Sequence, residues 1–99
     1  MLIYQVTATV EPNLMVDYER YMTRHHIPEL MATGYFASAF FAKKGNEYKV
    51  GYHADSSEHL DQYLENEAGR LRADFAEHFP TGVVVSRQVL DIIALFPSP

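Results

Sequence analysis

Residues 18–36, Tyr18-Glu19-Arg20-Tyr21-Met22-Thr23-Arg24-His25-His26-Ile27-Pro28-Glu29-Leu30-Met31-Ala32-Thr33-Gly34-Tyr35-Phe36, lead from an amphipathic helix through paired histidines and a proline into an aromatic strand. Leu14, Tyr18, Tyr21, Met22 and His25 recur at helical spacing, which predicts an inward stripe. Asp17, Glu19, Arg20 and Arg24 fall largely between them, towards water. Pro28 has no N–H and disfavours helical geometry at Ile27, so the helix is expected to end or kink near His26. Proline suits a first helical position, so a short turn restarts at Pro28 and Gly34 closes it. The stretch is therefore a crossover between two strands.

Working outward, residues 2–10 alternate as a strand. Leu2, Tyr4, Val6, Ala8 and Val10 take one face; Ile3, Gln5, Thr7 and Thr9 take the other. Glu11-Pro12-Asn13 ends it, with Asn13 as the expected helix cap. Residues 35–43 read as a second strand, Lys44-Gly45-Asn46 as a hairpin turn, and residues 47–55 as a third strand. Asp55-Ser56-Ser57-Glu58 offers a cap for a helix reaching about residue 79, broken near Gly69. Its expected inner stripe is Leu60, Tyr63, Leu64, Leu71, Phe75, His78 and Phe79. Residues 83–93 give the last strand, and Ala94-Leu95-Phe96-Pro97 an apolar tail. The order β-α-β-β-α-β predicts an α+β, ferredoxin-like domain over residues 1–99: a four-stranded antiparallel sheet with both helices on one face.

Composition narrows the function. A hydrophobic fraction of 47% argues for a packed globule rather than a disordered chain. No cysteine is present, which excludes thiolate nucleophiles, disulfides and cysteine-held metal, and fits a reducing cytoplasm. The net charge of −5, with scattered Lys and Arg, offers no basic stripe for nucleic acid. No apolar run approaches the roughly 20 residues of a membrane span, and no signal peptide is expected. There is no phosphate loop, dinucleotide fingerprint or nucleophile elbow.

Three segments carry a family resemblance: Ile3-Tyr4-Gln5-Val6-Thr7; His26-Ile27-Pro28 with Ala32-Thr33-Gly34-Tyr35-Phe36; and Leu71-Arg72-Ala73-Asp74-Phe75-Ala76-Glu77-His78-Phe79. On these the chain resembles, nearly end to end, a small, uncharacterised bacterial family of the dimeric α+β barrel superfamily. The helix ending in histidine and proline is also similar to that of EthD-like barrels. The resemblance implies two sheets packed together in a homodimer and a small ligand held between helices and sheet. It brings no reaction, because the superfamily spans oxygenases, isomerases, haem degraders and ligand sensors.

The candidate site centres on His26. At a helix end its plainest role is to cap free carbonyls. In a cleft, a neutral imidazole would be a general base or ligand donor, making His26 the candidate catalytic residue. His25 and His26 point about 100° apart on a helix and cannot easily share a metal. With His53, His59 and His78 they show no ligand spacing, so no metal and no cofactor are expected. Tyr4 and Tyr52 are expected on the helix-facing side of the sheet, with Tyr18 or Tyr21 opposite. They form an aromatic core or a pocket whose hydroxyls orient a ligand. Arg70, Asp74 and His78 read as i,i+4 partners on a solvated face. Arg72 matches the family pattern and is the candidate to bind a carboxylate ligand or brace the dimer.

Three functions follow: a cofactor-free small-molecule enzyme with a His/Tyr pocket, a non-catalytic ligand-binding dimer, and a structural interaction module. All share one expectation. The sheet face carrying Ile3, Gln5, Thr7, Lys49 and His53, together with the tail, is left uncovered by the helices. A second copy would cover it.

Overall fold

Strand β1 (Leu2–Val10) is central. The computed structural model, which describes Met1–Pro99, pairs it antiparallel with β3 (Glu47–Ala54) on one side and β4 (Val83–Asp91) on the other. Strand β2 (Ser38–Lys44) pairs with β3, so the sheet order is β2-β3-β1-β4. This is the expected ferredoxin-like order. The β2–β3 turn is Gly45-Asn46; Gly45 sits at φ 61°, a left-handed position that glycine takes freely and that matches sheet twist.

Alternation places Tyr4, Val6, Ala8, Tyr48, Val50 and Tyr52 on the helix-facing side. Their rings build an aromatic layer with the helices: Tyr4 and Tyr52 stack at 6.1 Å, and Tyr18 tilts on Tyr48 at 4.8 Å. Such pairs add about 0.5–1.5 kcal/mol each beyond their buried area. Seventeen buried apolar residues join in one cluster.

The first crossover departs most from expectation. Helix α1 (Met15–Tyr21) neither ends nor breaks at His26; it widens into one π-helical turn, Met22–His26, and continues as α2 (Ile27–Ala32). The Ile27 N–H reaches back five residues to the Met22 carbonyl. Proline explains the widening. In a regular helix the Pro28 ring would strike the carbonyl four residues back, and the extra residue in the turn relieves that contact. The wide turn also corrects the inner stripe. At 3.6 residues per turn, His25 follows Tyr21 and Met22 inward; with one residue more, His26 takes that direction and His25 is exposed. Leu30, one turn on, is then 1% exposed.

Other boundaries shift modestly. Asn13 lies in a short 3-10 turn, Pro12–Leu14, and α1 starts without a side-chain cap. Strand β2 begins at Ser38, because Tyr35 and Phe36 belong to the preceding loop, where Phe36 is buried. Ser56 caps helix α3 (Ser57–Asn66) by accepting from the His59 N–H. The break before α4 (Ala68–His78) falls at Glu67, φ −126°, not at Gly69, which is helical. Leu64 and His78, expected inside, are exposed. The tail beyond Asp91 takes no regular structure.

Candidate functional site

A cavity of about 40 Å³ lies between the sheet and the helices. Space of that size holds roughly three waters. Five residues singled out from sequence line it: His26 from the π turn, Tyr18 from α1, Tyr4 from β1, Tyr52 from β3 and Arg72 from α4; Tyr21, the alternative to Tyr18, does not. The walls are otherwise mostly apolar, including Met22, Leu30, Phe75 and Val85.

His26 does not cap the helix. Its ring packs edge-on to Phe75 at 5.7 Å and near Tyr21 at 5.8 Å, and its Nδ1 is buried without a hydrogen-bond partner. An unsatisfied buried polar atom costs about 1–3 kcal/mol, so this one calls for an explanation. Burial holds the imidazole's pKa down at about 4; Asp74 pulls it upward and Arg87 downward. His26 is therefore neutral at pH 7, able to accept a proton or a hydrogen bond.

The tyrosines differ in their roles. The Tyr4 hydroxyl accepts from the Arg72 guanidinium at 3.0 Å. Burial raises the pKa of Tyr18 and of Tyr52, which keeps both hydroxyls protonated as donors. Tyr63, read from sequence only as core, also lines the cavity, and burial pushes it up to about 12.

Arg87 was missed by the sequence reading. It pairs with Val6 in the β1–β4 register and lines the cavity in step with Val85. The signal was present: a charged residue interrupting the apolar alternation of Val83 and Val85 on the helix-facing side.

Outside the cavity, the expected Arg70–Asp74 pair does not form. Arg70 binds Glu67 at 2.8 Å, and Asp74 accepts the Tyr21 hydroxyl at 2.5 Å. His78 lies 3.7 Å from the Asp74 carboxylate, as its spacing suggested. No cluster of three or more His, Asp or Glu side chains is placed to hold a metal, and no helix is long and apolar enough to cross a membrane.

The family described as "Domain of unknown function (DUF4286)" matches residues 1–93, and the chain belongs to it. No curated protein matches the chain. Among solved structures, the fold is similar to that of an EthD-family protein from Bacillus halodurans (TM-score 0.72, 10% identity, 94% of this chain and 100% of that one). It is similar also to MhuD, a heme-degrader from Mycobacterium tuberculosis determined with two hemes in its active site (TM-score 0.69, 15% identity, 98% and 100%). MupZ from Pseudomonas fluorescens matches at TM-score 0.71 and 12% identity, over 89% of this chain and 69% of that one. At these identities the likeness shows the ferredoxin-like α+β fold alone.

Proposed function

We propose that this member of the DUF4286 family is a homodimeric barrel that binds a small molecule in the cavity beside His26, over one domain of residues 1–99. One observation carries the reading: a neutral imidazole with a buried, unpartnered Nδ1 lines a space that can admit a ligand atom. A ligand hydroxyl, or a C–H beside a carbonyl, would give that nitrogen its partner. Moving the proton onto it would be cofactor-free general-base chemistry, with His26 as the catalytic residue. Tyr4, Tyr18, Tyr52 and Arg72 would orient the ligand through hydroxyl and guanidinium donors. The absence of cysteine supports a cytoplasmic setting.

Heme is the ligand that one solved relative suggests. The residues here do not fit it. Pockets that bury a drug-sized ligand run to roughly 300–1,000 Å³, against about 40 Å³ for this cavity. No step is therefore assigned to a porphyrin.

The same small volume favours a second reading, a structural module with a nearly filled core. A high-resolution crystal structure of natively purified protein separates the two. Non-protein density within hydrogen-bond reach of His26 Nδ1 is expected. A dry cavity, or one holding only water, would favour the module.

A further inference from the structure

We propose that the rim of this cavity is an anion site. There Arg72 and Arg87 together take the carboxylate of a short-chain organic acid, whose apolar part enters the space beside His26. The inference rests on the cavity reading above and names its ligand class.

Of the twelve lining residues, only Arg72 and Arg87 are exposed, so they mark where the cavity meets water. Neither has a carboxylate within 4.0 Å: the ion pairs of this chain involve Arg20, Lys43, Lys49, Arg70 and His78. Arg24 and Lys44 are also without an ion pair, but of the unpaired cations only Arg72 and Arg87 line the cavity. Arg72 donates its Nη2–H to the Tyr4 hydroxyl at 3.0 Å, which ties its fork to the cavity wall. Arg87 reaches the same space from the opposite layer, on β4. The charges of both act on Tyr63, and that of Arg87 on His26, as expected of cations at the cavity rim.

A planar guanidinium matches a carboxylate in two parallel hydrogen bonds, and two of them bracket one anion. Apolar walls concentrate their field at the opening. Nine of the twelve lining residues are hydrophobic, so what lies beyond the charged rim suits an alkyl or acyl group. The free space of about 40 Å³ sets its size at a few heavy atoms. The competing account is that the two stems merely cover apolar surface while the heads face water.

Propionate and propionamide test this, being nearly isosteric and differing in charge. Each is titrated into the full-length protein at constant ionic strength, with amide and imidazole NMR shifts as the readout. Propionate should shift His26 and Tyr4 saturably and bind about tenfold tighter than propionamide. Arg72→Gln and Arg87→Gln should each weaken propionate about five- to tenfold and leave propionamide unchanged. Arg87→Lys, which keeps the charge, should retain part of the difference. If a Gln variant loses its folded spectrum, salt decides: added NaCl should weaken propionate but not propionamide. Equal binding of both probes, insensitive to salt and to either arginine, overturns the anion site and leaves the cavity reading intact. Absence of any cavity shift with either probe at about 100 mM, far above the roughly 1 mM of weak binding, overturns both.

Discussion

The Tyr21 hydroxyl donates to the Asp74 carboxylate at 2.5 Å, joining the helix before the π turn to α4 across 53 residues of sequence. Tyr21 is itself 5% exposed, and its ring lies 4.4 Å from that of His78. The bond fixes a carboxylate beside the cavity, where its charge raises the pKa of His26. Burial, and then the bond to Asp74, raise the pKa of Tyr21 itself.

Tyr21→Phe removes this bond and leaves the ring in place. With Asp74 partly exposed, the loss should be about 1.5–2 kcal/mol, the low end of the range for a hydrogen bond to a charged group. Urea unfolding should show a lower midpoint at unchanged slope. An unchanged midpoint would mean that the bond contributes nothing net.

Protonation of His26 should destabilise the fold. Its folded pKa is about 4, below the ordinary 6.5, so between these values the unfolded chain binds more protons. The stability is complete above pH 6.5, falls as pH drops towards 4, and levels below that. A tenfold change in proton affinity is about 1.4 kcal/mol, so the full loss is about 3 kcal/mol. Asp74 and Arg87 are the charged groups whose fields act on it, and they oppose one another. His26→Gln should flatten this limb of the stability curve; parallel curves for variant and parent would sink the assignment.

Gly51 faces away from the helices in register with Phe40, and a methyl placed on it would run into the Phe40 ring. Gly51→Ala should therefore cost about 1–3 kcal/mol, as overpacking does. Adding Phe40→Ala should recover part of that loss, since residues in contact couple. Strict additivity of the two changes would show that the ring moves aside freely.

The same face carries Phe40, Leu90 and Val84, which are 47%, 43% and 74% exposed, and the tail adds Ile93 and Phe96 at 99% and 91%. A second copy packed sheet to sheet would cover the face and take up the tail. Light scattering at micromolar concentration should give about twice the 11.3 kDa of one chain. A mass of one chain would exclude the homodimer.

Sequence reading recovered the element order and the shared face of Tyr4 and Tyr52 because both rest on a simple period. Tyr4 and Tyr52 share a face by alternation, whereas Arg72 was marked by the family resemblance and not by its helix's inner stripe, two members of which, Leu64 and His78, are exposed. It erred where a local conflict changed the period. Pro28 forced the wide turn, and the regular helical count then chose His25 over His26. Arg87 was missed for another reason: a single charge on a strand reads as solvent-facing until register shows which residues share its side. The helix break followed glycine to Gly69, whereas the chain turns at Glu67, which bonds Arg70. The Tyr21–Asp74 bond had no local signal, since its partners meet only after the two helices pack.

The π turn has a consequence for how this chain should be compared with others. A wide turn holds one residue more than an ordinary one, so a shorter helix lacking that residue points the same side chains the same way on both sides of the junction. Length and direction are thereby decoupled at residues 22–26. Aligned without a gap to an uninterrupted helix from its upstream end, this chain would set His25 against the spatial position of His26. It would also turn α2 out of phase by about 100°. A gap of one residue inside the turn restores the match, and its correct placement decides which imidazole is counted as equivalent.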